Sequence, residues 1–183
     1  TADATPAYVT HVPTAGQPRG VAPVGNRLYV TEDGGAMLRI FQMPAATELG
    51  HYTLPAKGWD VAVSGSYAYV ADDTTGLQIL NVSNPATPTL TAVLDTPGLA
   101  RVVVLSGTQH ALVADGVRGL QIVDVAVPWL PQSVGALDTP GHAVDVAHAG
   151  GYAYVADEST GLRAILLQPA PAERVTACDA VGH

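Results

Sequence analysis

Apolar positions along this chain fall in short runs broken by Gly, Pro, Asn and Asp, and not at the three-and-four spacing of an amphipathic helix. Between Trp59 and Gly98 four such runs follow one another: WDVAVS, SYAYVAD, GLQILNV and PTLTAVLD. The breaks are Ser64-Gly65, Asp73-Thr74-Thr75-Gly76, Ser83-Asn84-Pro85 and Thr96-Pro97-Gly98. Val, Ile, Leu and Tyr suit a pleated, half-buried surface, and the break residues supply turn geometry, so each run predicts a strand. The same order recurs from Leu99 to Gly141 and from His142 to His183, and in diverged form from Gln17 to Gly58. Tyr29-Val30, Tyr69-Val70, Leu112-Val113 and Tyr154-Val155 mark one position of the repeat, at spacings of 40, 43 and 42.

Four antiparallel strands per repeat of about 42 residues make the blade of a β-propeller, which buries its faces only against neighbouring blades. The pattern therefore predicts one all-β propeller domain over 1–183, with an outer strand at 5–16 and blades at 17–58, 59–98, 99–141 and 142–183. With strands lettered A to D from the axis outward, Thr5–Gly16 aligns with the D segment Thr87–Gly98, and another D-like strand falls around Arg174–Ala180. That gives five outer strands for four blades. Either the ring closes with four blades and leaves a strand over, or the chain is part of a larger propeller. Gly182-His183 repeats Gly141-His142, where a blade begins, and this favours a continuation.

The runs GLQIVDV (Gly119–Val125) and GLQILNVSNPATP (Gly76–Pro88), with YVAD upstream, resemble the LVIVD repeat of bacterial and archaeal propeller proteins. The resemblance is strongest from Trp59 to Leu166; the first copy departs from it at Ala36-Met37 and Met43-Pro44. It implies a propeller fold and an extracellular, cell-surface or periplasmic location, and it carries no catalytic motif. Residue 1 is Thr with no basic, apolar leader behind it, which fits a targeting peptide already removed.

Eight Lys+Arg against 16 Asp+Glu leave a net charge of −8, which argues against nucleic acid or an anionic membrane as the main partner. No stretch is apolar for long enough to form a membrane-spanning helix. The single cysteine, Cys178, excludes an internal disulfide and a haem pair; a small buried residue is its simplest role, and an intermolecular thiol the alternative.

Two clusters are candidates for function. Glu32-Asp33, Asp72-Asp73, Asp115 and Asp157-Glu158 fall in or beside the B–C turns, where they make either an acidic interaction face or Asp-capped turns. Arg19, Trp59, Asp60, Arg101, His142 and Asp145 lie at the start of the A strands, at the mouth of the axial channel. There they make a ligand site, with the arginines holding an anion, or a rim of mutually neutralising charges. His11, His51, His110 and His148 show no metal-binding spacing, and no cofactor is predicted. The expected function is an exported structural or protein-binding module whose partners are other protein chains. The competing expectations are a hydrolase or lactonase with a metal held by Asp60, Asp145 and His142, and an accessory domain of an electron-transfer complex.

Overall fold

The computed structural model describes residues 10–167, which form an all-β propeller of antiparallel blades. The first blade is β1 (Pro18–Val24), β2 (Arg27–Glu32), β3 (Met37–Gln42) and β4 (Thr47–Thr53). The second is β5 (Asp60–Ser64), β6 (Tyr67–Ala71), β7 (Leu77–Asn81) and β8 (Thr89–Leu94). The third is β9 (Val102–Ser106), β10 (His110–Ala114), β11 (Leu120–Asp124) and β12 (Gln132–Leu137). In the fourth, β13 (Asp145–Ala149), β14 (Tyr152–Ala156) and β15 (Leu162–Leu166) make three strands among the described residues. Every sheet is a meander in chain order, as hairpin connections dictate. The innermost strands β1, β5, β9 and β13 pack in sequence around the axis, and no comparable contact joins β13 to β1, so the arc is open there among the described residues.

The core lies between blades rather than within them. On β6, Tyr69 and Ala71 join the cluster shared with the third blade, while Ala68 and Val70 join the one shared with the first. A third cluster, built on Leu112, Ala114, Leu120, Val146 and Val155, joins the third blade to the fourth. Side chains alternate between the faces of a strand, so a strand covered on both faces must be apolar throughout, as YAYVA is. Three blades also carry the same β-bulge between their outer two strands, after Ile40, Ile79 and Ile122. At Gly76 and Gly119 the outer strand passes so close that a β-carbon would sit 2.4 Å from the Leu94 carbonyl oxygen and 2.2 Å from that of Leu137.

Each loop that crosses from one blade's outer strand to the next blade's inner strand is tied down by a buried carboxylate. Asp115 accepts from the Thr96 hydroxyl at 2.6 Å and from the Gly98 N–H at 2.9 Å. Asp157 accepts from the Thr139 hydroxyl and from the Gly141 N–H at 3.0 Å, and in its own turn from Thr160. Glu32 takes the N–H groups of Ala15 at 3.0 Å and Gly16 at 2.8 Å. Asp72 accepts from the Ala56 N–H at 3.2 Å and from the Thr75 hydroxyl. Leu54 stands where the other loops have Thr, and the Asp72 Oδ1 is accordingly without a partner. The loops are also bridged to the preceding blade, through Asp73 with Ala100 and Gly116 with Ala143.

Residues 10–16 form no strand, unlike the D strand expected over 5–16; residues 5–9 of that segment lie outside the described residues. Two of its N–H groups go to Glu32 and its Pro13 carbonyl to Arg39, so it acts as the crossing loop of the first blade instead of pairing with a sheet. The strand expected around Arg174–Ala180 and Cys178 also lie outside the described residues.

Asp115→Ala removes two charge-assisted bonds and strands two donors, which should cost about 3 kcal/mol in all. A chain of this size should then melt roughly 6–12 °C lower, as measured by circular dichroism. A melting point within about 2 °C of the parent would mean that the loops are held by their strands alone.

Candidate functional site

The residue that opens each inner strand points into the mouth of the axis, and the residue after each buried carboxylate reaches up from the B–C turn beside it. In the first blade this pair is Arg19 and Asp33, whose guanidinium and carboxylate form an ion pair. In the second it is Trp59 and Asp73, joined by the indole N–H at 3.1 Å. In the third it is Arg101 and Gly116, so the turn supplies no carboxylate, and Arg101 reaches only Asp73 of the neighbouring blade, at 3.6 Å. In the fourth the opening position is Val144, and Glu158 meets instead the Nδ1 of His142, two residues earlier, at 3.2 Å.

Trp59 lies between the two arginines. The Arg19 Cζ is 4.7 Å and the Arg101 Cζ 4.3 Å from its ring centroid, within cation–π range. The guanidinium of Arg19 is further fixed by hydrogen bonds to Asp33 and Gln17. That of Arg101 makes no hydrogen bond among the described residues and rests over the Trp59 ring. Trp59 and the two arginines line a cavity of about 590 Å³, with apolar walls from Leu99, Val102, Val117 and Val144 and the His142–Glu158 pair also lining it.

Four of the six residues expected at the channel mouth, Arg19, Trp59, Arg101 and His142, therefore line one cavity. Asp60 and Asp145 are not among its lining residues. The Asp60 carboxylate accepts the Val103 N–H at 3.1 Å, tying β5 to β9, and Asp145 accepts from the N–H of Val146 at 2.8 Å. Burial raises Asp60 above the usual carboxylate value, and the charge of Asp145 adds to the rise against the lowering effect of backbone N–H groups. Among the described residues no three of His, Cys, Asp and Glu are placed to hold one metal ion, so Asp60, Asp145 and His142 do not converge.

The expected acidic face divides in two. Glu32, Asp72, Asp115 and Asp157 are 0% exposed and belong to the loop contacts, while Asp33, Asp73 and Glu158 reach the mouth and are paired there. His11 is exposed outside any strand, and His51 sits on β4 beside Glu48 at 3.0 Å. His110 and His148 line a second cavity of about 860 Å³ at the opposite end of the third and fourth blades, where Ser106 Oγ lies 3.1 Å from the His148 Nε2.

The apolar wall was not singled out in the sequence. Its signal was positional: Leu99 occupies the repeat position of His142, and Val144 that of Trp59 and Arg101. Thr96, Gly98, Thr139 and Gly141 announced themselves through the doubled Asp-Thr-Pro-Gly at 95–98 and 138–141, which reads as a turn and serves as a donor set.

The family model of the LVIVD repeat matches residues 55–96, 97–139 and 140–165. No curated protein matches the sequence. Among solved structures, the computationally designed Ika4 protein superposes with a TM-score of 0.72 at 6% identity, over 90% of this chain and 100% of its own. The computationally designed Ika8 protein gives 0.69 at 5% identity over 81% of this chain, which spans only 45% of the Ika8 chain. At such identities the likeness is one of fold.

Burial raises Asp72 and Asp115 as well as Asp60, so in the window above the ordinary value of 3.8 the folded chain binds protons that the unfolded chain does not. Stability should therefore rise as pH falls from 7 into that window. Glu48 is lowered, chiefly by its bond to Arg39, and Asp157 is lowered because its hydrogen bonds and Arg163 outweigh burial. The trend should reverse once these two and the unfolded carboxylates take up protons. Urea midpoints read across the range should peak on the acid side of neutrality, with a shallower climb for Asp60→Asn. A monotonic fall from neutrality downward would contradict this.

Proposed function

The chain belongs to the LVIVD repeat family, and from that premise we propose that it works as a protein-binding propeller module, exported from its cell as part of a larger surface or extracellular assembly. Its partner is met across the top face, where the crossing loops and B–C turns surround the cavity. The observation that carries this reading is the Trp59 ring held between Arg19 and Arg101 beside an apolar wall. Trp and Arg are the side chains that most often anchor protein contacts, above all when they are held rigid and partly shielded from water. Rigidity lowers the entropic cost of ordering the site on binding. Val117 and Val144, 55% and 40% exposed, extend the apolar surface to the rim. The net charge of −8 over the whole chain favours a partner whose contact is not phosphate-rich.

The test is affinity selection from a random library of soluble decapeptides with free carboxyl ends, read by mass spectrometry. The parent chain should enrich a recurring sequence class, and Trp59→Ala and Val117→Asp should each lose it while melting as cooperatively as the parent. No enrichment, or enrichment that survives both substitutions, would overturn the reading.

A further inference from the structure

We infer that the top cavity is a receptor for the terminal carboxylate of a peptide that ends in an apolar residue. This rests on the protein-binding reading above and names what the site takes. Three features meet here. The repeat builds a mouth residue and a turn residue side by side in every blade, and in the others a turn carboxylate pairs with a mouth or loop side chain: Asp33 with Arg19, Asp73 with Trp59, Glu158 with His142. The third blade breaks the pattern: Gly116 occupies the turn position, and Arg101 is left 3.6 Å from a carboxylate that already accepts the Trp59 N–H. The guanidinium thus lies over an indole, lines the cavity, and makes no hydrogen bond among the described residues.

A planar guanidinium whose N–H groups find no hydrogen-bond partner among the described residues is the group best matched to a carboxylate, which it takes through two parallel bonds. Phosphate has the same need for donors but brings no apolar group, and the cavity that Arg101 lines is also lined by Leu99, Val102, Val117 and Val144, together with the paired His142 and Glu158. A chain end ending in Val, Leu or Ile carries a carboxylate and an apolar side chain on one α-carbon, which is the juxtaposition the cavity offers. The volume of about 590 Å³ lies within the range of small-ligand pockets and suits a chain end more than a passing segment.

Glycine at 116 is not required by conformation. Gly116 has φ +58°, while Asp73 and Glu158 hold the same place in the repeat at φ +50° and +42°. A β-carbon on Gly116 would lie 3.5 Å or more from its nearest neighbours, an ordinary contact. Gly116→Asp therefore places a carboxylate on a backbone that Asp73 already adopts, at a modest conformational cost, and it should pair with Arg101 and close the site.

The chain has two tryptophans, and Trp129→Phe leaves Trp59 as the fluorescent reporter. This full-length chain is titrated with acetyl-Leu-Val bearing a free carboxylate, with the same peptide as its amide, and with hexanoate. The acid peptide should give a saturable change in Trp59 emission, and the amide should bind at least tenfold more weakly. Gly116→Asp and Arg101→Gln should each weaken the acid peptide tenfold or more and leave the amide unchanged, while Arg118→Gln, outside the cavity, should have no effect. Equal binding of acid and amide, no binding of either, or full binding by Gly116→Asp would overturn the inference. Hexanoate binding as tightly as the acid peptide would overturn the assignment to a peptide end. Library peptides that depend on Trp59 but bind equally well as amides would sink this inference alone and leave the protein-binding reading standing.

Discussion

The hydrogen bonds between a buried carboxylate and the loop that crosses above it are what the rest of this structure depends on. Each blade is apolar on both faces, so it is stable only while another blade lies against it. Hydrophobic contact presses blades together but has no direction and does not fix their angle or height. Asp115, Asp157, Asp72 and Glu32 supply what it lacks, by fixing the crossing loop at a hydroxyl or N–H group from one side. The Asp73–Ala100 and Gly116–Ala143 bridges fix the same loops from the other. A wholly buried carboxylate is tolerable because its charge is spread over several donors, and where a donor is missing, as at Asp72 opposite Leu54, an acceptor is left bare.

The same loops build the top of the channel, so stability and recognition share one stretch of chain. In Glu32-Asp33, Asp72-Asp73 and Asp157-Glu158 the first residue turns inward to hold the loop and the second turns outward to the mouth. Successive residues in a tight turn point in different directions, and this lets a two-residue unit do both jobs. The cavity is therefore framed by contacts that the fold needs anyway. That explains why Arg19, Trp59 and Arg101 are held without being buried in the core.

Much of the fold was legible because a repeat multiplies each weak signal. One run such as GLQIVDV is ambiguous between strand and buried helix, and recurrence with its flanking turns removes the ambiguity. The mouth was legible for the same reason, since the position that opens each inner strand can be read by alignment once one blade is understood. Two matters were not. Asp in a turn looks the same whether it caps its own backbone or accepts from a loop sixteen to nineteen positions earlier, so the direction of Asp115 and Asp157 was hidden. The segment ending at Gly16 has the pattern of an outer strand, yet its N–H groups are spent on Glu32, a competition between partners that no single sequence displays.

The departures from the repeat carry more functional meaning than the repeat itself. Strands, bulges and loop contacts recur because every blade must meet the same packing constraint, and a residue that recurs with them says little about what the chain recognises. Gly116 recurs nowhere at its position. Asp33, Asp73 and Glu158 show that a carboxylate belongs there by default, and the backbone of the third blade would accept one. Its absence has a local consequence that packing does not explain: Arg101 keeps its charge and its place against Trp59 while losing the partner that its counterpart Arg19 has. In a structure assembled from near-copies, the residue that breaks the pattern where neither space nor backbone requires it is where binding chemistry is to be sought.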